Sequence, residues 1–417
     1  MHEGRASLRS NLDFVLLWAG EAVSLIGTRA AAVAYPLLAL SITGSAASAG
    51  VLVFVGRLPW FLFTLPAGAM GDRVDRKRVM LMWNAVASIA MLSVVAAIVV
   101  GRLTIGHLFV AAFLEGTAFI FMHVAEPGAI RQIVPTDRVP DAVAAAAARD
   151  STASLVGPPV GGFLLQASRG LPFLFNALSY LAAFIALLFV RSEFQEAERT
   201  RGSEHLGREV LEGISWLWSH AFLRASLLLV GVGNFFTNGI TFILIIAVKQ
   251  ETGSSGLVGI MLALVAAGGL AGAMAAPRLR RVVGGRLIVV GYNWIASFIT
   301  IPLVMVLPNA FALGAVFALL TFLGPLWNAV VDGYRISIVP DRLQGRISSV
   351  DALLAFGPVP LGPLAAGFLM ERFGAVYSVL AFGAMMLVVS AIGAVSPALR
   401  SGPAKGDGLQ GSAATSS

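Results

Sequence analysis

Apolar runs of about 20 residues, separated by short polar turns, repeat along the chain. The first extends from about Leu12 to Leu40 and closes at the uncharged turn Ser41–Ser48. Others cover about Ala49–Ala67, Val79–Val100, Ile105–Ile133, Asp141–Gln166 and Pro172–Val190. Six more fall near 222–248, 256–276, 286–307, 309–336, 344–370 and 375–396. A helix of this length crosses a bilayer with its backbone groups paired internally, so twelve runs predict twelve spanning helices and an all-α integral membrane fold. The long polar stretch Arg191–His220 divides them six and six. Within it Val210, Leu211, Ile214, Leu217 and Trp218 recur at helical spacing among Arg208, Glu209 and Glu212. That pattern predicts an amphipathic helix over Leu206–Trp218 at the cytoplasmic interface, or one that docks a partner. The expected units are a first bundle at 1–190, a linker at 191–220, a second bundle at 221–396 and a Gly-, Ser- and Ala-rich disordered tail at 397–417.

Composition narrows the class. Hydrophobic residues make up 57% of the chain and charged residues 12%, with mean hydropathy +0.84; soluble domains carry about 25% charged residues. A net charge of +7 could suggest nucleic acid, but the cations sit in short interhelical turns without interleaved aromatics. No nucleic-acid partner is expected, and the positive-inside rule accounts for the charge. Most Lys and Arg, including Arg278, Arg280, Arg281 and Arg286, fall on the side of the 72–78 turn; the other side holds only Arg102, Arg169, Lys249 and Arg372. This bias places that turn, and both termini of an even-span chain, in the cytoplasm. The chain has no Cys, which excludes disulfides and thiolate metal sites. Its first apolar run exceeds signal-peptide length, so no cleavable signal is expected.

The densest charge lies in Gly68-Ala69-Met70-Gly71-Asp72-Arg73-Val74-Asp75-Arg76-Lys77-Arg78. This stretch resembles the signature loop of the major facilitator superfamily, G-x-[LM]-[GA]-D-R-x-x-R-[RK], through Gly68, Met70, Gly71, Asp72, Arg73, Arg76 and Lys77. Asp75 departs from it, standing where many members carry a small residue. The chain also repeats internally. Ile133-Val134-Pro135 recurs as Ile338-Val339-Pro340, and at the same offset Gly157-Pro158 and Gly162-Phe163-Leu164 recur as Gly362-Pro363 and Gly367-Phe368-Leu369. Gly272-Ala273-Met274, followed by Arg280 and Arg281, is a decayed copy of the signature turn in which Ala276 replaces Asp72. Two parallel six-helix halves with a solute site between them are the superfamily's architecture.

Further stretches are similar to the drug:proton antiporter branch typified by macrolide and enterobactin exporters. They are Leu16-Leu17-Trp18-x-Gly20 to Ser24-x-x-Gly27, Glu212-Gly213 before Trp216, and Tyr334-Arg335 ahead of Val339-Pro340 and Gly345-Arg346. Gly157-Pro158-x-x-Gly161-Gly162 is similar to the exporters' antiporter motif, with Ala153 in place of its earlier glycine. The resemblance implies a monomeric, multi-pass transporter of a bacterial cell membrane, not an enzyme, with no cofactor. It would export a small hydrophobic or amphiphilic compound in exchange for protons, by alternating access. An importer, a channel or a lipid scramblase are the alternatives; an ATP-driven pump would need G-x-x-x-x-G-K-[ST], which is absent. The resemblance also implies gating roles for Gly68, Gly71, Asp72, Arg73, Arg76 and Lys77. Asp72 would latch onto the start of span 11 near Gly345-Arg346, where the helix N-terminus attracts a carboxylate.

Ionisable side chains inside the apolar runs cost about 2.5–3.5 kcal/mol each on insertion scales. They concentrate in the first half: Glu21, Arg29, Arg57, Glu115, Glu126, Arg149 and Asp150. Lys249, Asp332 and Asp351 in the second half lie toward span ends. The first half is therefore the expected proton-coupling domain. At 1.5 Å per residue Glu115 lies about 27 Å from the cytoplasmic face, Arg29 about 25 Å and Arg57 about 21 Å. This predicts a pair of Glu115 with Arg57, or with Arg29, serving coupling or structure, while Glu21 and Glu126 could take the proton at another stage. Phe119, Met122, Asn234, Asn238, Thr241, Trp327 and Asn328 are the candidate substrate-cavity residues, although aromatics in spans often only pack. Gly157, Pro158, Gly161 and Gly162 let span 5 pack closely and could bend it against proton leakage. His123-x-x-Glu126 is too little for a metal site, and none is expected.

Overall fold

A computed structural model describes residues 8–194, 215–339 and 344–397. Among these the chain is helical, with no strand. The first half holds α1 (Leu12–Thr43), α2 (Ala46–Arg73), α3 (Arg76–Val99), α4 (Ile105–Ile133), α5 (Val139–Ala167) and α6 (Leu171–Phe189). The second holds α7 (Ala221–Thr252), α8 (Ser255–Val282), α9 (Gly285–Phe298), α10 (Thr300–Met305), α11 (Ala310–Ile338), α12 (Gln344–Phe356) and α13 (Leu361–Val395). The helix expected over Leu206–Trp218 lies outside the described residues except for a turn of helix at 215–219, as does the tail beyond 397.

Nine helical stretches among the described residues are long and apolar enough to cross a membrane. The remaining expected spans map onto elements whose sequence interrupts or dilutes them. Span 9 is divided into α9 and α10, because Pro302 cannot donate to the carbonyl of Phe298 and its ring crowds it. Span 11 breaks over Gly357-Pro358-Val359-Pro360 between α12 and α13. Spans 11 and 12 meet at the short polar stretch Glu371-Arg372-Phe373-Gly374, where the φ of 76° and ψ of 178° at Gly374 turn the chain where a side chain would be strained. Small residues, three prolines and Arg149-Asp150 make α5 the least apolar helix of the first half. It packs through those small residues, with Ala142, Ala153, Gly157, Gly161 and Gly162 buried.

The described residues form two compact units. One gathers α1–α6 with Ile245–Ala263; the other gathers the described chain from 215 to Leu244 and from Leu264 onward. In the first, α1 packs against α5 and α6, α2 against α4, and α3 against α4 and α6. Helices in lipid gain nothing from hiding apolar surface from each other, so small residues that let backbones touch decide the contacts. A Cβ on Gly161 would stand 2.2 Å from the Ala30 carbonyl oxygen, and one on Gly20 would stand 3.2 Å from Ala183 Cα.

In the second unit Gly272, expected in a turn, lies within α8, where a Cβ would stand 1.9 Å from the Phe322 carbonyl oxygen of α11. Its role there is helix contact. Gly362, the repeat partner of Gly157, touches α7 in the same manner: its Cβ would stand 2.3 Å from the Phe235 carbonyl oxygen. Arg335 of α11 forms an ion pair with Asp351 of α12.

Candidate functional site

The signature stretch builds the polar end of the first unit. α2 continues through Arg73 and α3 begins at Arg76, so the turn is only Val74-Asp75. Asp75, the departure from the family pattern, is the N-cap of α3 and accepts from the backbone N–H of Lys77 at 2.8 Å and Arg78 at 3.4 Å. The two cations that follow reach the end of α6. Lys77 Nζ donates to the Val190 carbonyl at 2.6 Å, and Arg76 Nη1 donates to the Phe194 carbonyl at 3.2 Å. Cations complement the last, unpaired carbonyls of a helix. Arg76 is buried and runs across Gly128, where a Cβ would stand 2.3 Å from its Cζ. Asp13 of α1 accepts from the backbone N–H of Arg191 and Ser192 at 3.1 and 2.8 Å and so holds the same segment. The side chains at 68–73, and with them the expected latch from Asp72 to Gly345-Arg346, lie outside what is described.

Inside this unit the buried charges converge on a cavity of about 80 Å³. Two helical faces and one short segment line it. Glu21, Ser24, Leu25, Thr28 and Arg29 come from α1 and Phe119, Met122, His123 and Glu126 from α4, each set at helical spacing, with Arg149 and Asp150 from α5. Arg149 forks onto Glu126, with Nη1 to Oε1 at 2.5 Å and Nη2 to Oε2 at 3.1 Å, and also donates to Asp150 Oδ1 at 3.0 Å. Such a fork satisfies both oxygens of Glu126. Arg29 lies within the field of Asp150 but forms no ion pair among the described residues. Glu21 is buried at 6% exposure, and its Oε1 has no hydrogen-bond partner. Phe119 and His123 stack at 5.6 Å and 9°, forming an aromatic wall.

Glu115 is a separate centre, and its expected partners are corrected. Neither Arg57 nor Arg29 forms an ion pair with it. Its Oε1 accepts from Asn176 Nδ2 at 2.6 Å and from the Tyr180 hydroxyl at 3.3 Å. α6 fills the place expected for a cation. Similar depth along the bilayer normal does not bring side chains together when they stand on different faces: α2 and α4 touch through Gly56 and Gly116, with Glu115 turned toward α6. Arg57 is instead exposed on α2. Asn176 and Tyr180 are a signal legible in the sequence: they sit one helical turn apart in a span whose other polar residue is Ser179. Arg149 is legible in the sequence as an intramembrane charge, but nothing there pairs it with Glu126. The Tyr180 hydroxyl also lies 2.8 Å from Thr28 Oγ1, so a chain of hydrogen bonds connects Glu115 with the cavity wall.

The antiporter-like glycines pack α5 on two neighbours. A Cβ on Gly157 would stand 2.3 Å from Arg29 Cβ, and one on Gly162 would stand 2.6 Å from the Ser255 carbonyl oxygen and 2.8 Å from Gly259 Cα. Pro158 lies within α5 between them. In the second unit the candidate cavity residues lie on α7 and α11. Asn234 Nδ2 donates to the Ala355 carbonyl at 2.8 Å and Asn238 Nδ2 to the Asn234 carbonyl at 2.9 Å. Thr241 donates to the Thr237 carbonyl at 2.7 Å. Trp327 is packed with Ala276, Ile288, Leu326 and Val331, while Asn328 is exposed.

Comparison with known proteins identifies the family. A family model described as a transmembrane secretion effector of the major facilitator superfamily matches residues 4–407. The multidrug efflux pump Tap of Mycolicibacterium fortuitum is 25% identical over 390 residues, covering 88% of this chain and 91% of that one. Macrolide efflux protein A of Streptococcus pyogenes is 28% identical over 232 residues, 54% of this chain and 56% of that protein. Among solved structures, a bacterial homologue of the human lysosomal transporter Spinster, inward-facing and unoccupied, aligns with TM-score 0.71 at 15% identity, over 93% of this chain and 96% of that chain. The nucleoside transporter NupG aligns with TM-score 0.70 at 13% identity, over 91% and 98%. At those identities the structures speak for the fold alone. The chain belongs to the transmembrane secretion effector family and is a multi-pass membrane transporter of the major facilitator type.

Proposed function

We propose that this transporter exports a small hydrophobic or amphiphilic compound in exchange for protons, by alternating access, as a monomer in a bacterial cell membrane with both termini cytoplasmic. The names of its relatives, a multidrug efflux pump and a macrolide efflux protein, support the outward direction. The observation that carries proton exchange is the first unit's set of buried carboxylates, of which Glu115 and Glu21 lack an ion-pair partner among the described residues. Buried ionisable groups in spans are costly, and those not neutralised by an ion pair are suited to taking up and releasing a proton. Glu115 holds the proton in this reading, and Tyr180 and Thr28 connect it to the cavity where Glu21 and Glu126 stand.

The test is substrate movement in everted vesicles under an imposed pH gradient. Wild-type protein accumulates substrate when the lumen is acid. Glu115→Gln keeps an acceptor oxygen for Asn176 and Tyr180 but cannot titrate; it should lose uphill accumulation while counterflow exchange of substrate continues. Uphill accumulation by Glu115→Gln at the wild-type rate would remove Glu115 from the coupling role. Uptake by intact cells in place of extrusion would overturn the outward direction.

A further inference from the structure

We propose that Glu115 carries a proton in this conformation, and that Tyr180 and Thr28 are the relay that loads it from the cavity between α1, α4 and α5 and releases it there. The inference rests on the proton-exchange reading above and gives its proton a position and a path. Three contacts run in line from α4 through α6 to α1. Glu115 Oε1 lies 3.3 Å from the Tyr180 hydroxyl, Tyr180 Oη lies 2.8 Å from Thr28 Oγ1, and Thr28 Oγ1 donates to the Ser24 carbonyl at 3.0 Å. Each contact needs one hydrogen, and the two hydroxyls bring only two. With the Thr28 hydrogen on Ser24, Tyr180 donates to Thr28, and the third hydrogen has to sit on Glu115. Asn176 does not supply it: its Nδ2 donates to the same Oε1 at 2.6 Å, and its Oδ1 faces the Ser179 hydroxyl at 3.3 Å. A protonated carboxyl oxygen can donate to Tyr180 and still accept from Asn176. No Lys, Arg or His pairs with Glu115 among the described residues, and the titratable groups around it are Tyr35 and Tyr180.

Release of the proton reverses the line. The Glu115 O–H bond breaks as its hydrogen passes to Tyr180 Oη. Tyr180 passes its own hydrogen to Thr28 Oγ1, and Thr28, turned from Ser24, passes its own to water in the cavity. Each hydroxyl ends with one hydrogen; Tyr180 then donates to the carboxylate and Thr28 to Tyr180. The Ser24 carbonyl keeps its bond within the helix. Burial makes this the path. Tyr180 is fully buried and Glu115 is 6% exposed. α1 and α6 close around the relay: a Cβ on Gly27 would stand 2.2 Å from Ser179 Oγ, and one on Gly20 would stand 3.2 Å from Ala183 Cα. Thr28, by contrast, lines the cavity, beside Glu21, Arg29, His123, Glu126, Arg149 and Asp150 as its charged and titratable groups. A volume of about 80 Å³ admits water.

The infrared carboxyl band reads both the proton and its path without any substrate. Full-length protein in lipid nanodiscs near neutral pH should show a protonated C=O stretch that Glu115→Gln removes. Tyr180→Phe keeps the ring and should move that band to higher frequency, because the carboxyl O–H has lost its acceptor. Transfer to heavy water shifts the band as the proton exchanges. Thr28→Val, which keeps the shape without the hydroxyl, and Tyr180→Phe should each slow that exchange at least about tenfold, and Thr28→Ser should restore it. Thermal melting checks the folding of every variant. A wild-type spectrum with no Glu115-dependent carboxyl band overturns the protonated state. Wild-type exchange in either folded variant overturns the relay. Export is read separately, from accumulation of ethidium or radiolabelled erythromycin in everted vesicles with an acid lumen. If wild type accumulates either compound while exchange is unslowed in the variants, the relay falls and export stands. If exchange depends on both hydroxyls but neither compound moves, export falls and the relay stands.

Discussion

At the scale of single residues, the first unit separates two kinds of buried carboxylate. Glu126 is paired on both oxygens by Arg149, whereas Glu115 is held by neutral donors. Removing one member of a buried ion pair leaves an uncompensated charge and costs about 3–5 kcal/mol, whereas replacing the whole pair by apolar groups of similar size is often neutral. Arg149→Met should therefore lower the melting temperature of the detergent-purified protein sharply. Glu126→Leu with Arg149→Met should recover most of the loss, although Asp150 then also lacks its partner. A single variant as stable as wild type would mean that water already reaches the pair. The same unit shows what sequence can and cannot reveal at this scale. The stripe Glu21, Ser24, Leu25, Thr28 is readable because one helix carries it. The pairing of Glu126 with Arg149 joins two helices, and depth along the membrane favoured the wrong partner for Glu115.

At the scale of elements, close helix contacts make a graded prediction for glycines. Gly161→Ala would drive a Cβ to 2.2 Å from a carbonyl of α1, and Gly128→Ala would meet the Arg76 guanidinium at 2.3 Å. The first clash is against backbone and cannot be relieved by a rotamer; the second displaces the side chain that holds the α6 end. Gly291 of α9 has nothing within 4 Å, and alanine there should be neutral or gain up to about 1 kcal/mol in a helix interior. Size-exclusion profiles after heating should rank Gly161→Ala lowest, Gly128→Ala next and Gly291→Ala at or above wild type. Helix positions were legible in the sequence because bilayer length fixes the size of each apolar run. Their interruptions were less so. The break before Pro302 and the Gly357–Pro360 segment lie inside the expected runs, where the backbone chemistry of proline marks them.

At the scale of the whole chain, membrane topology follows from the charge bias. Reporter fusions ending near Arg76, Gly202 and Arg280 should read cytoplasmic, and those ending near Gly44 and Gly253 external; a cytoplasmic signal at Gly44 would sink the twelve-span assignment. The last prediction concerns Ile245–Ala263, the second-half segment that belongs to the first compact unit. It meets α5 at the end opposite the signature turn. Gly162 abuts Gly259, and the backbone N–H of Ser255 donates to Gln166 Oε1 at 2.8 Å. Alternating access, as proposed here, requires a segment from one half to part from the other half in each cycle, and these glycine and amide contacts are weak enough to break. The chain has no cysteine, so Gln166→Cys with Ser255→Cys introduces a clean pair. A short bifunctional thiol reagent with a cleavable linker should join the two, seen as a band shift after protease nicking of the polar stretch 191–220. Transport should stop on cross-linking and return on cleavage of the linker, with each single variant unaffected by the reagent. Full transport by the cross-linked protein would mean that this contact stays closed throughout the cycle, and the opening step would have to occur elsewhere.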